Sequence, residues 1–481
     1  MPPSLRRIET VIAAYAASQP DHLALRFHDE TWTYAALCKD ARRRAALLCE
    51  AGIQPGDVIA ATGTVSGDTA VSALACIMAN AVYFFLSPLF APPEIAACAA
   101  LARVRFVLTP TGEPDAALPH LATLPQALPG TPSFDAVADL AARQAIATTD
   151  DPAILQTTSG TTGGGPKVTL MTHRHHAISA AAPLWWETPE SVAYIPRPML
   201  YNPKLCYHAL HRGGTCILSD SIQPERIEAE MATYGANALW TAPAVVHALV
   251  AQRQPPPPGL ALRVLRTGAA PLTPELAHAA HARYGAAVVQ IFASSEAGYV
   301  AATPPGTPDG SIGVLMPWVD VRIVDDDGRD VPDGKAGELL VRSPDLMTGY
   351  VGDPKATAAV FRDGWLRMGD LARRDAEGFY YLAGRRNLRI NVGGFMVSPE
   401  EVEAVLLRHP GVREGVVLGA TDVTRGEVVR AVIVPAEPSP SVAALRAHCR
   451  TYLAAYKVPR QWEFRAALPR SPLGKVLRHL L

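Results

Sequence analysis

Up to about residue 300 the chain alternates helix-like with strand-like segments, and this rhythm restricts the fold more than any other feature. "TYAALCKDARRRAALLCEAG" carries apolar residues at helical spacing and stops at Gly52, and "DVIAATGT" follows as a buried strand. "TAVSALACIMANAVYFFLS" repeats the helix-to-strand step, and "VRFVLTP" reads as another strand. The rhythm returns in "IEAEMATYGANALWTAPAVVHALVAQ". Parallel strands need such crossovers, so parallel sheets covered by helices are expected. The proline-rich "QPPPPG", residues 254 to 259, is a surface loop within this region rather than a boundary.

The pattern then changes. "VDVRIVDDDGRDVPDGKAGELLVRS" alternates apolar and polar residues around Asp-Gly turns, which predicts antiparallel hairpins in a small barrel or sheet. In the last hundred residues or so, "PEEVEAVLLRHPGVREGVVLGATD", "EVVRAVIVPAE" and "SVAALRAHCRTYLAAYKVP" read as helix, strand, strand, helix: a compact α+β unit.

A length of 481 residues exceeds one ordinary domain. The net charge is −1 with no long run of like charge, which argues against nucleic acid or an anionic membrane as the main partner. No apolar stretch approaches the roughly 20 residues needed to span a bilayer. Near the start, "RRIETVIAAYAAS" mimics a signal peptide, but Glu9 interrupts its apolar run and an amphipathic helix is expected. The seven cysteines show neither CxxC nor metal-ligand spacing, so they read as reduced, mostly buried thiols of a cytoplasmic protein.

"QTTSGTTGGGPKVTLMTH", from Gln156 to His173, follows the strand-like "AILQ". Such a loop points backbone N–H groups and hydroxyls at one spot, which suits phosphate oxygens, and Lys167 adds positive charge. The generic nucleotide loop GxxxxGK[ST] does not fit. Gly160 and Gly165 have its spacing, but Pro166 stands where its lysine should be, and Val168 follows Lys167. This argues against a kinase or ATPase of that type.

The loop does resemble the "TSGTTGxPKG" segment of the adenylate-forming enzymes: acyl-CoA and aryl-CoA synthetases, luciferases and peptide-synthetase adenylation domains. The resemblance runs in order through "PDHLALRF…TWTYAAL", "LRTGAAPL", "IFASSEAG", "GELLVRSPDLMTGY", "GWLRMGDLARRDAEGFYYLAGRR", "NVGGFMVSPEEVE" and "PRSPLGKVLRHLL". It implies a large N-terminal domain of parallel α/β subdomains plus a small antiparallel β-barrel (residues 1–384), a hinge (385–387) and a small mobile α+β domain (388–481). It also implies ATP-dependent activation of a carboxylic acid as an acyl-adenylate, then transfer to CoA or to the phosphopantetheine of an acyl carrier protein.

The site residues implied by the resemblance fall at matching positions. Thr158, Ser159, Gly160, Thr161, Thr162 and Gly163 would bind phosphate, with Lys167 assisting. Gly268 and Ala269 would form the adenine-side turn, flanked by Phe292 and Ser295. Glu296 would hold Mg²⁺, Asp370 would take the ribose hydroxyls, and Arg385 would lie near ribose and phosphate. Lys475 would be the C-terminal adenylation lysine, and Asn387 the hinge residue, where relatives carry Asp or Lys. Three departures stand out: Met199 replaces the histidine of CoA ligases, Met368 the usual Thr, and Ala293 a glycine. No aspartate in "PMLYNPKLCYHAL" could bind an α-ammonium, so an amino-acid substrate is disfavoured. Tyr201, Asn202, Trp240 and Thr241, with Phe292, would line a compact pocket for a small aromatic or medium acyl acid. A catalytically silent nucleotide-binding homologue is the rival reading, which intact Glu296, Asp370 and Lys475 oppose.

Overall fold

The computed structural model describes residues 5–88, 90–158, 167–181, 187–197, 199, 203–268, 272–325, 327–385, 390–397, 399–469 and 481, with only the backbone of some, including Thr158, Lys204 and Arg385. The alternating region forms two sheets. The first runs in the order Gly349–Tyr350, Lys167–Thr172, Pro152–Thr158, Val82–Phe85, Val58–Ala61, Phe106–Thr109, Ala122–Pro125. Its strands are parallel from Pro152–Thr158 to Ala122–Pro125. Lys167–Thr172 and Gly349–Tyr350 add antiparallel pairings at the other edge. Each residue of Val82–Phe85, "VYFF", is buried, as expected of a parallel strand covered on both faces.

The second sheet holds Leu23–Phe27, Thr215–Ser219, Val192–Pro196, Ala238–Thr241, Val264–Gly268 and Ala287–Ser294 in parallel. Antiparallel strands lie at its edges, Glu30–Thr33 on one side, Gly298–Ala302 and Val314–Leu315 on the other. Helices Tyr34–Glu50 and Gly67–Met78 contribute most of their buried residues to the cluster shared with both sheets. Both start where the sequence supplies a cap: Thr33 accepts from the Ala36 N–H, and Ser66 and Thr69 form a reciprocal box. The first helix, Ile8–Ser18, is the expected amphipathic one, but Glu9 is not a solvated break in it. Glu9 is buried and ion-paired with Arg7, which also reaches Asn80 (3.0 Å) and Asp151 (3.2 Å).

The Asp-Gly-rich region forms a five-stranded antiparallel sheet of Asp320–Val324, Gly337–Arg342, Trp365–Arg374, Phe361–Arg362 and Tyr380–Arg385. After residue 389 the order is Ile390–Val392 and Phe395–Val397 (an antiparallel pair), Pro399–Leu406 (helix), Val412–Asp422 and Gly426–Pro435 (an antiparallel pair), Val442–Tyr452 (helix) and Gln461–Phe464 (a strand parallel to Gly426–Pro435). One hydrophobic cluster draws only on residues between Ile390 and Val458. All seven cysteines are buried and unpaired.

Two histidines, His173 buried and His211 half-buried, make the fold acid-sensitive. Burial, helped by Arg7, pushes His173 from an ordinary 6.5 down to about 3. Burial, then Arg212, pushes His211 down to about 4. Below pH 6.5 the unfolded chain therefore binds protons that the folded one refuses, and stability falls on acidification towards pH 4. The urea midpoint should drop between pH 7 and pH 5, and drop less in His173→Phe; an equal drop in both proteins would remove His173 as a cause.

Candidate active site

Strands Ala287–Ser294 and Gly298–Ala302 are joined by a three-residue turn, Ser295-Glu296-Ala297, closed by the pair Ser294 and Gly298. Gly298 has φ +66°, and a Cβ there would lie 2.1 Å from Asp345 Oδ2, so only glycine fits. The Ser294 hydroxyl accepts from both the Glu296 N–H (3.2 Å) and the Ala297 N–H (3.0 Å). The turn is thereby fixed with Glu296 at its tip. This is the carboxyl end of the parallel strands, next to the ends of Val264–Gly268 and Ala238–Thr241, where open α/β sheets bind ligands.

Glu296 is buried. Tyr350 donates its hydroxyl to Glu296 Oε1 at 3.1 Å, and the Met347 N–H bonds the Glu296 carbonyl at 2.8 Å. Lys167 Nζ lies 4.7 Å from the centre of the same Tyr350 ring. Lys167 pairs in register with Thr158. Lys167 and Glu296, far apart in sequence, thus meet around one tyrosine. Ser295 is half-buried in the turn, Phe292 is buried two pairs earlier, and Gly268 ends its strand with a virtual Cβ 3.2 Å from the Ile291 carbonyl.

Asp370 is buried on the antiparallel sheet, directly opposite Arg385 in register. No direct contact joins Asp370 to Glu296 or Lys167 among the described side chains. Ser159, Gly160, Thr161, Thr162, Gly163, Tyr201, Asn202, Ala269, Asn387 and Lys475 lie outside the described residues.

Trp240 and Thr241 are buried at the carboxyl end of their strand, and beside them lies a network that the sequence did not reveal. Arg266 faces Trp240 across the strand pair. Its guanidinium sits 4.6 Å from the Trp240 ring centre and 5.0 Å from that of Tyr299. It donates to Glu187 Oε1 at 3.0 Å and to the Tyr299 hydroxyl, which lies 3.2 Å from His208 Nδ1. Burial pulls the Arg266 pKa down, against the opposing pull of Glu187. Trp240 Nε1, Thr241 Oγ1 and Thr267 Oγ1 are buried without a hydrogen-bond partner among the described residues. Buried polar atoms seldom stay unsatisfied, so these three invite a polar ligand or water. Tyr350 was also missed, although it ends the quoted "GELLVRSPDLMTGY". Both omissions share a reason: the partners come from distant strands, and no local spacing marks them.

Parallel sheets whose strand ends carry a fixed carboxylate, beside a cation at the root of a glycine- and hydroxyl-rich segment, define the class: an α/β enzyme that works on a nucleotide. The chain belongs to the AMP-binding enzymes, the adenylate-forming superfamily. That family's model matches residues 12–351, and the model described as AMP-binding enzyme C-terminal domain matches residues 401–475. Feruloyl-CoA synthase of an Amycolatopsis species is 32% identical over 497 residues, covering 96% of each chain. Among solved structures, a double mutant of o-succinylbenzoate CoA synthetase from Bacillus subtilis, bound with its product analogue OSB-NCoA, superposes with TM-score 0.86 at 26% identity over 98% of each chain. The same enzyme in complex with the acyl-adenylate intermediate gives 0.70 at 26% identity, over 98% of this chain and 97% of that one.

The Arg266–Glu187 pair yields a stability test. Arg266→Met would remove the guanidinium that answers a buried carboxylate and should cost roughly 3–5 kcal/mol in urea unfolding. Adding Glu187→Gln should recover a large part of that loss; strictly additive losses would show that the pair does not act as a unit.

Proposed function

We propose that this chain is an AMP-forming acid–thiol ligase: it joins a carboxylate to the α-phosphate of ATP, releases pyrophosphate, and passes the acyl group to CoA. The observation that carries the reading is the meeting of Lys167 and Glu296 around Tyr350, at the root of the 159–166 segment. The chemistry moves negative charge at phosphate, so the protein must offer fixed donors and positive charge there. Ser159, Thr161, Thr162 and the neighbouring glycine N–H groups would donate to phosphate oxygens, and Lys167 would neutralise them. Gly268 and Ala269 would pass beside the adenine, flanked by Phe292 and Ser295, while Asp370 would accept the ribose hydroxyls with Arg385 nearby. Lys475 would reach the carboxylate and α-phosphate as the segment after the hinge, residues 385–387, closes.

The site fits Mg²⁺. Glu296 offers a hard oxygen held by a hydroxyl, and among the described residues no cluster of three or more His, Cys, Asp or Glu could hold a metal alone. The remaining ligands would be phosphate oxygens and water. When bound, the ion would neutralise phosphate charge.

The acid would be a small aromatic or medium acyl one, seated against Trp240, Thr241 and Phe292, with Tyr201 and Asn202 completing the wall. The buried aromatic faces and the aromatic substrate named for the feruloyl relative support this class. CoA is favoured over a carrier protein as acceptor because the relatives named above are CoA synthetases. Seven buried, unpaired cysteines suit a reducing cytoplasm, and no described helix is long and apolar enough to cross a membrane.

Pyrophosphate release over a panel of carboxylic acids, each with CoA and with a holo carrier protein, tests the whole reading. Silence across the panel would sink it. With a responding acid, Glu296→Ala should lose on the order of 10²–10³ in adenylation rate while keeping its fold by circular dichroism. Activity within a few-fold of wild type would remove Glu296 from the site.

Lys475→Ala separates the two halves of the reaction. Acyl-adenylate formation should fall by orders of magnitude, roughly the scale of a lost catalytic charge. A chemically supplied acyl-adenylate should still acylate CoA at a near-normal rate. A mutant that adenylates normally would take Lys475 off the catalytic list.

A further inference from the structure

One buried ammonium bridges the part of the chain after residue 389 to the rest. Lys457, just beyond helix Val442–Tyr452, is 1% exposed. Its Nζ donates to Glu401 Oε1 at 2.7 Å, within its own part, and to Glu94 Oε1 at 2.6 Å, 363 positions away. Glu94 belongs to helix Pro92–Leu101, which packs against helix Val442–Tyr452. Among the described residues no other ion pair crosses between the two parts. The surroundings are dry: Tyr456 stacks on Phe395 with centroids 4.5 Å apart, and the ring of Phe90 lies 5.5 Å from Lys457 Nζ. Burial opposes the Lys457 charge, but Tyr456, Glu401 and Glu94 outweigh it, so the ammonium stays charged. Elsewhere between the two parts Gly393 approaches Ala244, its virtual Cβ 3.9 Å from the alanine Cβ.

The two superpositions on o-succinylbenzoate CoA synthetase identify the arrangement that this contact holds. Identity is the same and coverage nearly so, yet the score is 0.86 against the product-analogue complex and 0.70 against the acyl-adenylate complex. The chain therefore has the arrangement of the product-analogue complex. We propose that Lys457, clamped between Glu94 and Glu401, is a positioning residue for thiol transfer: it locks the C-terminal part in the thioester-forming arrangement and plays no part in adenylation. In this arrangement two carboxylates from two different parts enclose one ammonium. A buried ion pair adds little net stability but defines a geometry sharply, because any other arrangement breaks it. The reading rests on the proposed ligase function.

Glu94 is the residue to change, because it lies outside the C-terminal part. Its other oxygen caps the Ala91 N–H at 2.9 Å, and glutamine can keep that cap through its carbonyl. Glu94→Gln weakens the clamp, and Glu94→Lys sets two cations face to face. The first measurement needs no substrate: amide hydrogen exchange in helices Pro92–Leu101 and Val442–Tyr452. Exchange should quicken in both variants, more in Glu94→Lys, and more in these two helices than in the core strands Val82–Phe85 and Val264–Gly268. The second measures the half-reactions apart. Pyrophosphate release should stay within about twofold, while acylation of CoA by supplied acyl-adenylate should slow by about tenfold or more in Glu94→Lys, the scale of one lost buried ionic contact. Unchanged exchange together with unchanged thioester formation would overturn the proposal. So would a parallel fall in both halves with a lowered melting point, which marks a merely structural contact. If no acid releases pyrophosphate from the wild type, the ligase reading fails, and the exchange measurement alone decides whether Glu94 and Lys457 clamp the two parts.

Discussion

The hydrogen bond from the Tyr350 hydroxyl to Glu296 ties the two large sheets together at the site. Tyr350 belongs to a short strand paired with Lys167–Thr172 at the edge of the first sheet. Glu296 sits on the turn after Ala287–Ser294 in the second. The segment between them is bonded on both sides: Met347 N–H to the Glu296 carbonyl, Thr348 N–H to the Leu170 carbonyl, and the His175 ring to the Leu346 carbonyl. One connector thus sets the distance between a cation from one sheet and a carboxylate from the other. Neither sheet could set it alone.

The polar network around Arg266 has a different logic. A guanidinium held between two aromatic rings and answered by Glu187 is costly to bury, and its cost recedes only because every element around it is fixed. Hydrophobic residues of similar size would have filled the same space. Beside this ion pair Trp240 Nε1, Thr241 Oγ1 and Thr267 Oγ1 lack a hydrogen-bond partner among the described residues, at the carboxyl ends of parallel strands, which supports the proposed acid pocket there.

Much of the architecture was legible in the chain. The alternation of helical and extended segments gave the parallel sheets, because period and turn residues are local properties. The Asp-Gly turns gave the antiparallel sheet, and helix, strand, strand, helix was read correctly from Pro399 to Tyr452, while the short strands Ile390–Val392, Phe395–Val397 and Gln461–Phe464 on either side went unread. Glu9 shows the limit of such reading. An acidic residue inside an apolar run looked like an interruption, yet Glu9 is buried against Arg7, which Asn80 and Asp151 hold from distant elements.

The same division holds at the site. By itself the sequence determined the family, through an ordered series of motifs, and with it the expectation that Lys167, Glu296 and Asp370 belong to the site, since residue type and local spacing carry that information. The tertiary structure decided which of them meet. It put Lys167 and Glu296 around Tyr350, set Arg266 against Glu187, and closed Glu94 on Lys457 across 363 positions. Those contacts depend on strand register and on how sheets and helices pack, and neither is written in the spacing of any single segment.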